Sequence, residues 1–116
     1  LLRAIRERDP EIITMLGGTN CESSMGMAAR RAFPWVDFVV SGEADELIVP
    51  FVRALLERGR DVTPPLGVID HELAHRKDAE APRASVWSVD AIPTPDYDDY
   101  FDALEDGSAV VDRAAA

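Results

Sequence analysis

A chain of 116 residues has room for one small domain, and its 47% apolar and 29% charged residues describe a globular protein rather than a disordered one. Twenty-two acids against twelve bases, a net charge of −10, argue against nucleic acid as a partner, because counterion release needs clustered Lys and Arg. No apolar run approaches the ~18 residues of a membrane span, and no signal peptide is visible, so the expected compartment is the cytoplasm.

Leu1 to Arg8 sets Leu1, Leu2 and Ile5 on one side and Arg3, Arg6, Glu7 and Arg8 mostly on the other. That is the pattern of an amphipathic helix end, stopped by Asp9-Pro10, and a start in mid-helix implies further sequence upstream. Glu11 to Leu16 is a nearly continuous apolar run closed by Gly17-Gly18, which predicts a strand buried on both faces. Ser23 or Ser24 is placed to cap a short helix running to about Ala32 and ended by Phe33-Pro34. Val36 to Val40 predicts a second buried strand, closed by Ser41-Gly42-Glu43. Leu47, Ile48, Phe51, Val52, Leu55 and Leu56 then recur at helical spacing, with Pro50 in the first turn and Gly59 as the stop.

Helix, strand, helix, strand, helix is the order of a parallel α/β sheet with crossover helices. Two strands leave both sheet edges unpaired, so residues 1–60 read as the C-terminal half of a doubly wound domain. Residues 66–69 and 86–89 offer two further short strands, paired as a hairpin. Residues 61–116 carry thirteen acids, four bases and five of the eight prolines, against nine acids and eight bases in residues 1–60. The second half is therefore expected to be an extended acidic linker.

In open α/β sheets, ligands bind outside the carboxyl ends of the strands, where glycines let them approach the backbone. Gly17-Gly18-Thr19-Asn20 and Ser41-Gly42-Glu43 end the two strands and are expected side by side on one rim. The same glycines equally serve as tight strand-to-helix turns, and no phosphate loop or dinucleotide fingerprint is present.

Three stretches in order carry a more specific signal: Leu16-Gly17-Gly18-Thr19-Asn20-Cys21-Glu22, then Ala32-Phe33-Pro34-Trp35-Val36-Asp37-Phe38-Val39-Val40-Ser41-Gly42-Glu43-Ala44-Asp45, then Val89-Asp90-Ala91-Ile92-Pro93-Thr94-Pro95-Asp96-Tyr97-Asp98-Asp99-Tyr100-Phe101. Together they resemble the cobalamin-binding domain of radical SAM enzymes and its linker to the catalytic barrel, most of all in the RiPP maturation radical SAM proteins. The resemblance covers roughly residues 1–104. It implies a partial flavodoxin-like domain, with Gly17 and Gly18 against the nucleotide tail of cobalamin. It also implies Thr19, Asn20, Ser41, Gly42 and Glu43 on the same rim, and a ribosomally made precursor peptide as the substrate to be methylated. The first three strands of such a domain have no counterpart here, nor does the region where some cobalamin proteins place a histidine ligand to cobalt. The 4Fe-4S cluster and S-adenosylmethionine are implied for a barrel whose three-cysteine motif this chain lacks. Cys21 alone cannot hold a cluster, an all-cysteine zinc site or an internal disulfide, so the chain is not expected to be catalytic by itself.

His71-Glu72-Leu73-Ala74-His75 competes as an H-E-x-x-H zinc-hydrolase motif, with His71 and His75 as ligands and Glu72 as base. Against it, Asp78 stands where the extended motif has glycine, no later histidine follows, and Pro65 and Pro82 leave about sixteen residues for a helix. A third reading is a non-catalytic interaction module that self-associates through its exposed sheet edge. Trp87, Tyr97, Tyr100 and Phe101 supply aromatic anchors for docking the tail on a partner domain. Asp96, Asp98, Asp99 and Asp102 have metal-like density without a calcium loop around them and read as solvated linker.

Overall fold

The structure is a computed structural model and describes residues 1–105. Helix α1 (Leu2–Arg8) stops at Asp9, which adopts extended φ and ψ ahead of Pro10 and donates its amide to the Ile5 carbonyl. Strand β1 is only Met15–Leu16, shorter than the run from Glu11. Side chains hold the residues before it: the Ile12 carbonyl accepts from Arg6 and Arg60, and the Thr14 amide donates to Asp37 Oδ2 at 2.8 Å. Both β1 residues are half-buried, not buried on both faces, because β1 lies at a sheet edge.

Helix α2 (Ser23–Ala32) ends before Pro34 as the sequence predicts, but neither serine caps it. The Ser23 amide instead donates to the hydroxyl of Ser41, 2.7 Å away at the end of the next strand. Strand β2 (Phe38–Val40) is buried throughout. Helix α3 (Ile48–Arg58) buries Phe51 and Leu55 and ends at Gly59, φ +63. Its apolar stripe is narrower than the spacing suggests, since Val52 and Leu56 face outward.

The sheet is mixed. β1 pairs parallel to β2, Met15 opposite Phe38 and Leu16 opposite Val39. Strand β3 (Val68–Ile69) covers the other edge of β2 antiparallel, Val39 opposite Ile69 and Val40 opposite Val68. The wholly parallel sheet is thus corrected: the connection through α3 is long enough for a parallel crossover, but a turn in which the Val68 amide donates to the Pro65 carbonyl and Gly67 takes φ +94 leads β3 in along the β2 edge in the antiparallel direction. Residues 86–89 form no strand, so the hairpin with 66–69 is also absent, and β3 takes β2 as its partner. A five-residue helix α4 (His71–His75), capped by the Asp70 carboxylate on the Leu73 amide, follows β3.

Side-chain alternation along β2 and β3 builds one core on each face. Val39 and Ile69 pack with Cys21, Met27, Val36 and Ala74, under α2 and α4. Phe38, Val40 and Val68 pack with Phe51, Leu55 and Val62, under α3, where Phe51 meets Phe38 edge-on at 5.2 Å. Helices thus cover both faces of the small sheet, a mixed α/β architecture.

Packing does not stop at residue 60. Val62, Val68, Ile69, Ala74 and Ala84 are all buried, so the segment expected to open the linker completes the core. Only beyond it does the chain run over the surface. From Ser85 to Asp90 and from Ile92 to Glu105 no residue is buried, a stretch that includes helix α5 (Asp98–Glu105). Residues 106–116, the rest of the expected linker, lie outside the described residues. Among the described residues no helix is long and apolar enough to cross a membrane.

Candidate functional site

Because β1 and β2 run parallel, their carboxyl ends bring Gly17-Gly18 beside Val40 and Gly42. Between them lies an open slot of about 200 Å³, walled by Met15, Leu16, Val40, Ala44 and Ile48 and floored by the glycines. Gly18 has φ +93, and a Cβ there would project into open space; one at Gly17 would make only ordinary contact with Val40, whose Cβ is 3.8 Å away. The wall is apolar and carries no cation. Thr19 and Asn20 follow in a 3-10 turn (Thr19–Cys21) with exposed side chains, and neither lines the slot. Cys21 in the same turn faces the core, and burial pushes its thiol up, away from the reactive thiolate.

Ser41, Gly42 and Glu43 reach the same rim, but their polar groups are engaged elsewhere. The wholly buried Ser41 hydroxyl donates to the Pro82 carbonyl at 2.6 Å while accepting from the Ser23 amide. The Ser41 carbonyl accepts from the Ala84 amide at 2.8 Å, and the Glu43 amide donates to the Ala84 carbonyl at 3.1 Å. The Glu43 carboxylate accepts from the Val86 amide at 2.6 Å. Residues 82–86 are therefore strapped along the end of β2, with Gly42 bridging Ala84. A Cβ at Gly42 would overlap the Ala84 carbonyl oxygen, so this glycine, φ +93, is required by the strap. Sequence reasoning located the loops and missed the strap and the slot walls Ala44 and Ile48. Nothing in Pro82-Arg83-Ala84-Ser85 marks it as a partner for Ser41.

At the opposite rim, Asp37 gathers Arg6 at 2.9 Å, Arg60 at 2.8 Å and both the amide and hydroxyl of Thr14. Burial pushes its carboxyl up, but the Arg60 and Thr14 hydrogen bonds and the charges of Arg60 and Arg6 outweigh this and hold it below the usual carboxylate range. Arg30 donates from Nε to the Asp37 carbonyl at 3.1 Å, and its buried Nη1 has no hydrogen-bond partner among the described residues.

His71 and His75 do share one side of α4, their rings 4.2 Å apart. The His75 Nδ1–H donates to the His71 carbonyl at 2.8 Å, leaving Nε2 as the free nitrogen. Among the described residues, no group of three or more His, Cys, Asp and Glu side chains is arranged to hold a metal ion. The pair thus falls one short of the three protein ligands of a catalytic zinc site. A larger cavity of about 420 Å³, between Thr63–Leu66 and Arg76–Pro82, adjoins α4. Its charged lining is Asp70, which caps α4, with the exposed Glu72, Arg76 and Glu80. No protein-family model, no curated protein and no solved structure matches the chain.

Proposed function

We propose that the chain is the cobalamin-binding portion of a radical SAM enzyme acting on a ribosomally made peptide, with the nucleotide tail of the cofactor seated in the Gly17-Gly18 slot. The observation that carries this reading is the slot itself: apolar, floored by backbone, and lying outside the carboxyl ends of two parallel strands. At about 200 Å³ it is smaller than the roughly 300–1,000 Å³ of a whole small-molecule site, so it suits one flat end of a larger ligand. Its residues fit the apolar base of such a tail, since no charged side chain lines it. Cobalamin, when bound, supplies a cobalt that passes a methyl group from S-adenosylmethionine to an unactivated carbon. The chain's own part is to bind and orient. Gly17 and Gly18 give the close floor, Val40, Ala44 and Ile48 exclude water, and the exposed Thr19 and Asn20, next along the chain, offer hydrogen bonds to the part of the ligand outside the slot. The flavodoxin-like identity of the fold and the cytoplasmic location belong to the same proposal. The cluster and S-adenosylmethionine would be held outside this chain, whose single cysteine is buried.

The test is cobalamin absorbance and iron content on the protein purified with its flanking sequence. Gly18→Val and Ala44→Leu each fill the slot from a different wall, and both are expected to lower cobalamin retention about tenfold or more while iron is unchanged. His71→Ala is expected to change neither. Retention of cobalamin by both slot variants would put the site elsewhere.

A further inference from the structure

Helix α5 carries a surface that the slot does not use. Counting Tyr97, whose carbonyl accepts from the Tyr100 and Phe101 amides and so begins the helix, the apolar side chains fall at Tyr97, Tyr100, Phe101 and Leu104. This is i, i+3, i+4, i+7, a single stripe along one side. All four are exposed, at 59%, 56%, 57% and 38%, and no residue of α5 is buried. Single exposed apolar residues need no explanation, but four aligned ones mark an interaction face. Asp98, Asp99, Asp102 and Glu105, with the small Ala103, occupy the rest of the helix. Asp98 and Asp99 also lie in the first turn, where negative charge favours the helix without any partner. The stripe is therefore presented preformed.

Charge narrows what covers it. Residues 87–105 hold six carboxylates and no Lys or Arg, so anionic lipid and nucleic acid are repelled. Residues 1–86 hold fourteen acids against eleven bases, so a second copy of the chain offers no net positive field. We infer that the Tyr97–Leu104 stripe of α5 docks into an apolar groove rimmed by Lys and Arg on a protein surface other than a copy of this chain. The aromatic residues anchor in the groove, and the carboxylates beside the stripe meet its basic rim.

The experiment places photoreactive benzoylphenylalanine at Leu104 in the protein with its flanking sequence, inside its own cells, and sequences the crosslinked peptides. The exposed Leu56 of α3 serves as the control position. The expected adduct is a peptide rich in Lys or Arg beside apolar residues. Its yield should fall roughly fivefold or more with Phe101→Ser, with Asp98→Lys plus Asp102→Lys, and on raising salt to about 0.5 M before irradiation in lysate. The salt arm uses the unsubstituted surface and so does not depend on any variant folding. Adducts to peptides of residues 1–116, to lipid or to nucleic acid would overturn the inference. So would yields no higher than at Leu56, or adducts insensitive to salt.

Discussion

Gly18 and Gly42 share φ +93 and sit at the ends of neighbouring strands, yet they are glycines for different reasons. At Gly18 an added methyl meets no atom within 4 Å, so Gly18→Ala costs only the strain of the backbone conformation, about 1–3 kcal/mol. At Gly42 the methyl overlaps the Ala84 carbonyl and lies 2.8 Å from the Ala84 nitrogen, so the strap at 82–86 must move as well. Overpacking against backbone adds about 1–3 kcal/mol. Gly42→Ala should therefore unfold at lower denaturant than Gly18→Ala, by that difference. Equal midpoints would mean that the strap is not packed on Gly42 in solution. A spacing argument treats the two residues alike, because it sees the loops and not the chain that crosses one of them.

At the scale of elements, Asp37 does what a longer strand would otherwise do. It joins α1 through Arg6, the approach to β1 through Thr14, and the turn after α3 through Arg60, while Arg60 also holds the Pro10 and Ile12 carbonyls. Its side chain is 12% exposed, between a surface pair and a buried one, so Asp37→Ala should cost on the order of 2–3 kcal/mol. The folded carboxyl titrates below its unfolded value of about 3.9, so the stabilisation is present above that pH and is lost as pH falls through the lowered folded value. Urea unfolding from about pH 7 down to pH 3 should show the gap between wild type and Asp37→Asn narrowing only toward the acid end; a gap independent of pH would remove the clamp. The same residue explains how much of the fold was legible. α3 was readable because eleven residues repeat an apolar period, and β2 because its whole run is buried. β1 came out short because side chains distant in sequence take the backbone groups just before it: the Thr14 amide donates to Asp37, 23 residues on, and the Ile12 carbonyl accepts from Arg60, 48 residues on. β3 is two residues long, too short for periodicity to reveal its direction. On the site side, a glycine pair announced the slot, whereas the partners of Ser41 and Glu43 lie 41 and 43 residues downstream.

For the whole molecule, charge and packing divide at different places. The acidic half begins near residue 61, but the core runs on to Ala84, because Val68 and Ile69 supply the strand that shields β2 and Ala74 seals the face under α2. Acidity is thus a poor guide to where the folded unit stops; burial is the better one. Two truncations separate these boundaries. Removing residues 89–116 leaves the Glu43–Val86 bond and takes no described buried side chain, so the unfolding free energy should change by less than about 0.5 kcal/mol. Removing residues 62–116 strips Val62, Val68, Ile69 and Ala74 from the two cores at once, and the buried Ala84 with them. Single large-to-small changes at such sites cost about 1–5 kcal/mol each, and a small domain has only about 5–15 kcal/mol in total. The shorter chain should therefore lose its cooperative thermal transition, while the longer one keeps the transition of the intact protein. If residues 1–61 alone melted cooperatively, the antiparallel strand and α4 would be ornaments on a self-sufficient half-domain. Ile69, fully buried against α2 and paired with Val39, argues that they are not.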